Sequence, residues 1–203
     1  MEKLTVVVLA AGASSRLGRP KQLVVWREET LVHRAARLAV ESGLGPVRVV
    51  TGTRADEVSQ AVADLSVACV HNPQAEEGIA SSIRRGFEGL DTAVLVLTCD
   101  QPLLSAEHLR ALAQTWRDTG APIVGSAYEG IVGVPVLFSP ALLPELRALR
   151  GDQGARAVFR GYRVESVTLE GGGLDVDTEQ DVERLEQLEH APMDRIDPGS
   201  RKL

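Results

Sequence analysis

One recurring unit constrains this chain more than anything else in it: a short run of β-branched and aliphatic residues, a turn, then a longer segment with helical spacing. "LTVVVLA" over Leu4–Ala10 reads as a buried strand, and "TLVHRAARLAVES" over Thr30–Ser42 sets Leu31, Ala35, Leu38 and Ala39 on one helical face, with Gly43 as a stop. The alternation continues with strands over Val47–Thr51, Val67–Val70, Ala93–Asp100, Pro122–Ala127 and Arg163–Leu169. Helical segments lie between them at Ala55–Asp64, Ile79–Leu90, a stretch capped by Ser105 that runs to about Thr119, Ala141–Leu149 and Thr178–His190. Val134–Phe138 is a further strand, with antiparallel pairing expected near 131–138. Strands apolar on both faces, separated by helices, predict a sheet covered on both sides. The expected fold is therefore a single-domain α/β structure, doubly wound and mainly parallel, with a small antiparallel addition. It should span residues 1–190. The polar tail 191–203, with two prolines, is expected to be flexible.

Charge and composition narrow the function. Lys and Arg total 22 against 28 Asp and Glu, a net −6, which argues against a nucleic-acid partner but permits a cleft that concentrates positive charge. No run approaches the ~18 apolar residues of a membrane helix, and no signal peptide precedes the first strand, so a cytoplasmic protein without a membrane partner is expected. Cys69 and Cys99 both sit in apolar, strand-like runs without metal-ligand spacing and read as buried small hydrophobes. The four histidines, at 33, 71, 108 and 190, make no ligand spacing and support neither a zinc site nor His-dependent hydrolysis.

Ligands of open α/β sheets bind at the carboxyl ends of the strands, where the loop from Ala11 to Lys21 emerges. Gly12 lets backbone N–H groups approach an anion, and Arg16 and Lys21 can neutralise phosphate oxygens. The loop is neither a P-loop, because five residues separate Gly12 from Gly18 and Arg19-Pro20 follow, nor the Gly-x-Gly-x-x-Gly dinucleotide fingerprint, which opposes a dehydrogenase. Asp100 follows its strand at the same sheet edge, where a carboxylate could hold a hard cation such as Mg²⁺ or simply cap the turn at Pro102. Asp175 and Asp177 share a side of an extended segment. They could be metal ligands, or could favour the N-terminus of the helix that Thr178 caps. Ser81 and Ser82 lie near another helix start, where an anion is favoured.

The string Leu9-Ala10-Ala11-Gly12-x-Ser14-x-Arg16-x-Gly18-x-x-Lys21-x-Leu23 resembles the signature of the nucleotidyltransferases that include the molybdenum cofactor cytidylyltransferases and guanylyltransferases. The resemblance covers roughly residues 4–190 and implies a nucleotide-diphospho-sugar transferase-like fold. It also implies that Leu9, Ala10, Ala11, Gly12, Arg16 and Lys21 hold an NTP. Asn72, Ser81 and Ser82, from "NPQAEEGIASSIRRG", would extend that nucleotide site. Asp100, in "CDQPLL", and Asp175 and Asp177, in "DVDT", would hold Mg²⁺, with Asp175 favoured as the second carboxylate. Arg16, Lys21 and Asp100 are then the catalytic set. Ala-Ala-Gly at positions 10–12 leans toward CTP, and the phosphorylated small-molecule acceptor would be molybdopterin, with a molybdoenzyme as a possible partner. Asp152 and Arg156, in "LRGDQGARAVF", would face that acceptor, although a Gly-Asp turn capping the next helix explains Asp152 as well. Val134 departs from the His or Asn expected there, which keeps a sugar phosphate or another small phosphate open as acceptor. A non-catalytic nucleotide-binding module is the remaining alternative.

Overall fold

The computed structural model of the protein describes residues 4–190; the tail expectation lies outside the described residues. The chain runs β1 (Leu4–Ala10), β2 (Val25–Trp26), β3 (Glu29–Thr30), α1 (Leu31–Glu41), β4 (Val47–Thr51), α2 (Ala55–Ala61), β5 (Ala68–His71), α3 (Ile79–Gly86) and β6 (Ala93–Thr98). It continues with α4 (Ala106–Thr119), β7 (Ile123–Tyr128), β8 (Ile131–Phe138), α5 (Leu143–Ala148), β9 (Val164–Thr168) and α6 (Glu179–His190). Seven strands form one sheet in the order β5-β4-β1-β6-β8-β7-β9, and β2 and β3 form a separate antiparallel ribbon. Only β8 runs against its neighbours, β6 and β7.

Period-two alternation sorts the sheet's side chains between two cores. Val6 and Val8 of β1, with Leu95 and Leu97 of β6, pack under α1, α2 and α4. Val7 and Leu9, with Val94 and Val96, pack under α3 and α5. This is the covered, doubly wound arrangement that continuous apolar strands require. Thr30 and Ser105 cap α1 and α4 through their hydroxyls, as their positions before those helices suggest.

Two sequence expectations are corrected. Cys69 is exposed rather than buried, because β5 is an edge strand that stays largely exposed along its length; Cys99 is buried as expected. The helix expected to reach Leu90 ends at Gly86, and Phe87 turns into the core. The β2–β3 ribbon was not anticipated, since its two-residue turn carries no glycine. Arg27 and Glu28 both take positive φ (49° and 65°), and the Arg27 guanidinium lies 4.4 Å from the Trp26 ring centroid.

A buried polar chain ties α4 to the antiparallel part of the sheet. Ser126 Oγ donates to the Pro135 carbonyl (2.7 Å), so His108 Nε2–H donates to Ser126 Oγ (2.7 Å). Burial lowers the His108 pKa from 6.5 to about 4. The unfolded chain therefore binds the extra proton first, and His108 removes stability as pH falls from about 6.5 to about 4. His108→Gln keeps a donor for Ser126 without the titration. Thermal midpoints at about pH 7 and about pH 4.5 should lie closer together in this variant than in the parent protein; equal spacing would exclude His108 as a source of acid sensitivity.

Candidate active site

The loop after β1 is shaped by its own polar groups. Ser14 takes a positive φ of 53°, and its carbonyl accepts from the backbone N–H of Leu17 and of Gly18. Its hydroxyl accepts from Lys21 N–H (3.0 Å). The buried Gln22 amide donates to the carbonyls of Ala10 (3.1 Å) and Gly12 (2.6 Å), which fixes both sides of the bend. Nothing lies within 4 Å of where a Gly12 Cβ would be, so the bend leaves open space above it. Sequence reasoning missed Gln22. A glutamine directly after the lysine carries no spacing signal, and its role emerges only when the loop folds back.

A cavity of about 350 Å³ opens at this edge of the sheet. Leu9, Ala10, Ala11, Gly12 and Lys21 line it from β1 and its loop, Asp100 from the end of β6, Ser82 from α3 and Asp152 from the turn after α5. A second recess of about 360 Å³ shares Gly12 and Glu76 with it and carries Arg19 and Arg54, two cations that the sequence reading had not singled out. Arg16 lines neither space. Its side chain is 71% exposed and donates to Asp177 (2.7 Å). Asn72 and Ser81 also lie outside both, facing a surface trough with Arg84, Arg85 and Arg147.

Charge converges on Lys21. Its Nζ donates to Asp100 Oδ2 (2.5 Å) and Asp177 Oδ1 (2.8 Å), and Asp177 in turn accepts from Arg16. Burial alone would lower the Lys21 pKa, but the two carboxylates outweigh it and raise it. Arg16, Lys21 and Asp100 are thus joined through Asp177 in one network.

That network depends on a third, smaller core. Leu17 from the loop, Trp26, Leu31, Leu174, Val176, Val182 and Leu185 pack together, so the β2–β3 ribbon and α6 hold the 174–177 segment against the loop. Val176 N–H donates to the Asp100 carbonyl (2.9 Å), which fixes the backbones carrying the acids side by side. Thr178 and Asp181 form a reciprocal cap. The Asp181 carboxylate accepts from the backbone N–H of Thr178 (2.8 Å), and Asp181 N–H donates to the Thr178 hydroxyl (3.3 Å). Behind Asp100, Arg34 donates to the Pro102 carbonyl (2.7 Å) and to Glu29. Burial pushes the Glu29 pKa up, but hydrogen bonds from Arg37, His33 and Arg34 outweigh it and hold it at about 2.

The donor set suits a hard cation. Asp100 Oδ1 is buried without a hydrogen-bond partner, although the other oxygen of the group is satisfied. The Asp175 pKa is pushed up to about 6, first by burial and then by the charges of Asp100 and Asp177. Solvent still reaches the Asp175 residue, and its carboxylate makes no ion pair among the described residues. Three acids crowded around one ammonium, with a spare buried oxygen, fit an added divalent ion, although no ready-made cluster of three acid, His or Cys ligands exists among the described residues. Asp100, Asp175 and Asp177 are the residues that would hold it.

A third, apolar cavity of about 320 Å³ adjoins the first through Leu9, Ile79 and Thr98, and is lined by Tyr128, Val134 and Arg156. Of the two residues expected at an acceptor, Arg156 is here, whereas Asp152 belongs to the first cavity.

Residues 6–167 match the family model described as the MobA-like NTP transferase domain. The chain is 28% identical to the molybdenum cofactor cytidylyltransferase of Escherichia coli (strain K12), over 89% of this chain and 94% of that protein. It is 32% identical to the nicotine blue oxidoreductase of Paenarthrobacter nicotinovorans, over 90% and 96% respectively. Among solved structures, Rv0371c of Mycobacterium tuberculosis H37Rv superposes with a TM-score of 0.77 at 31% identity, covering 92% of this chain and 98% of that one; another structure of that protein is a complex with manganese (TM-score 0.75, 27% identity, 92% and 98% covered). No helix among the described residues is long and apolar enough to cross a membrane.

Proposed function

The chain belongs to the MobA-like NTP transferase family, and we propose that it transfers CMP from CTP to the phosphate of molybdopterin, releasing pyrophosphate. The observation that carries this reading is the joining of Lys21, Asp100, Asp177 and Arg16 in one network, of which Lys21 and Asp100 line a cavity together with the open backbone at Gly12. The CTP and molybdopterin assignments draw on Ala10-Ala11-Gly12 and on the E. coli relative.

The triphosphate lies against the Ala11–Lys21 loop. Lys21 and Arg16 exchange their carboxylate partners for phosphate oxygens and neutralise charge that builds on the leaving group. An acceptor phosphate oxygen attacks the α-phosphorus, the bond from that phosphorus to the α–β bridging oxygen breaks, and pyrophosphate leaves with the electron pair. The nucleophile is already anionic, so the chain needs no strong base. Mg²⁺, when bound, supplies the neutralising charge that lets two polyanions meet. Asp100, Asp175 and Asp177 are its proposed ligands, and the manganese complex of the mycobacterial relative accords with a divalent site. The acceptor is read into the neighbouring apolar cavity, with Arg156 at its wall and Val134 in place of a polar residue.

The test is pyrophosphate release from each of the four NTPs, with molybdopterin and with a panel of sugar 1-phosphates. Release with CTP and molybdopterin is expected. Release only with sugar phosphates would replace the acceptor, and silence throughout would leave a nucleotide-binding module. The oxidoreductase relative raises a redox reading, but the acid–lysine network serves charge neutralisation and has no evident use in hydride transfer.

A further inference from the structure

The cavity read above as the nucleotide site is lined by Lys21 and also by Ser82 and Asp152. Lys21 belongs to the network with Asp100 and Asp177, whereas Asp152 lies against the start of α3, the helix that carries Ser82. With the triphosphate on Lys21, as in the reading above, the carboxylate of Asp152, unpaired among the described residues, repels phosphate and is left to face the nucleobase. Asp152 is held there by the backbone. Gly78 opens α3 with φ 105°, and a Cβ on it would lie 2.5 Å from both Asp152 Oδ1 and the Gly151 carbonyl. Ala80 N–H donates to that same carbonyl (3.1 Å), so the Gly151–Asp152 turn is seated on the start of α3. Asp152 makes no hydrogen bond or ion pair among the described residues.

Ser82 is the second observation, and its polarity can be assigned. Asn72 Oδ1 accepts from Gln74 N–H (3.0 Å), which turns the amide so that Nδ2 donates to Ser81 Oγ (2.9 Å) and Ser82 Oγ (3.1 Å). Ser81 passes its own proton to the Gly78 carbonyl (2.8 Å). Ser82 is 5% exposed and lines the cavity, and its hydroxyl proton has no acceptor among the described residues. A buried hydroxyl that already receives a hydrogen bond, and whose proton is unused, is set to donate to a ligand.

We infer that these two side chains read the base, with Asp152 accepting from an exocyclic amine and Ser82 donating to a ring carbonyl. The pair therefore selects an amino-bearing pyrimidine nucleotide over its oxo counterpart. A carboxylate attracts the 4-amino group of cytosine and repels the 4-oxo group of uracil, whereas the 2-oxo group that Ser82 would meet is common to both. Asn72 is then a positioning residue that orients Ser82 and does not itself touch the base. This inference rests on the nucleotidyl-transfer reading above.

The experiment is calorimetric titration of CTP and of UTP into the full chain with Mg²⁺, for the parent protein, Asp152→Asn and Ser82→Ala. The parent protein should bind CTP at least about tenfold tighter than UTP, the effect of one mispaired polar group. Asp152→Asn presents an amide that can face either base, and should bring the two affinities within about threefold of each other while the unfolding midpoint stays in place. Ser82→Ala should weaken both nucleotides by similar factors, about three- to tenfold, and keep their ratio. An unchanged CTP-to-UTP ratio in Asp152→Asn, or a parent protein without that preference, would overturn the base-reading assignment and leave nucleotidyl transfer standing. A parent protein that binds neither nucleotide would overturn both.

Discussion

Asp100→Ala should fold as the parent protein does and lose about two to three orders of magnitude in turnover, the usual scale for removing one element of electrostatic stabilisation. The stability half of this expectation follows from the charge network. Lys21 keeps its bond to Asp177 when Asp100 is removed, so no cation is stranded. The unpaired Oδ1 disappears along with one of the like charges that press on Asp175. The unfolding midpoint should therefore hold or rise slightly, and the Asp175 pKa, pushed up to about 6 in the parent protein, should fall. Pyrophosphate release, thermal unfolding and carboxylate titration by NMR check the three parts. Unchanged turnover would remove Asp100 from the chemistry.

Lys21→Met should match that loss of turnover and, unlike Asp100→Ala, also weaken the fold. Among the described residues Lys21 is the only cation bonded to Asp100, and with it gone Asp177 retains Arg16 alone of its cation partners. Stranding partly buried carboxylates costs about 1–3 kcal/mol here, below the full cost of breaking a buried pair because solvent reaches Asp177 and Asp175. The deficit should depend on pH with a definite sign. A carboxylate whose folded pKa lies above its unfolded value binds extra protons when folded, so it costs stability as pH rises through that window. Asp175 already behaves this way, and Lys21 lowers its pKa. Removing Lys21 widens the window upward, so the variant should trail the parent protein more at about pH 8 than at about pH 5. A deficit of equal size at both pH values would show that the loss comes from packing and not from charge.

The strands were readable because both of their faces are apolar, and that follows directly from a sheet covered on two sides. The same logic misled at Cys69, since a local apolar run does not reveal that its strand ends the sheet. The hairpin around Arg27 and Glu28 was hidden because its turn uses residues that rarely adopt positive φ. In the site, Lys21 and Asp100 were legible from their places after two strands. Three other roles were not, because each depends on a contact between segments distant in sequence. Gln22 acts through two carbonyls that approach it only after the loop bends. Asp152 reaches the cavity beside the β1 loop because its turn sits on α3. Asn72 carried the right kind of chemistry, but its amide is already committed to two serines, which no local pattern announces.

The pairing of Arg16 and Lys21 with Asp177 joins residues 161 and 156 positions apart. During synthesis the loop after β1 therefore emerges long before the acid that steadies it. Closing so long a loop carries a chain-entropy cost that can be offset only once the segment around Asp177 and α6 has been made. The candidate site should consequently mature after the sheet has formed, and a polypeptide stalled before residue 174 would contain all nine described strands while Arg16 and Lys21 still lacked Asp177.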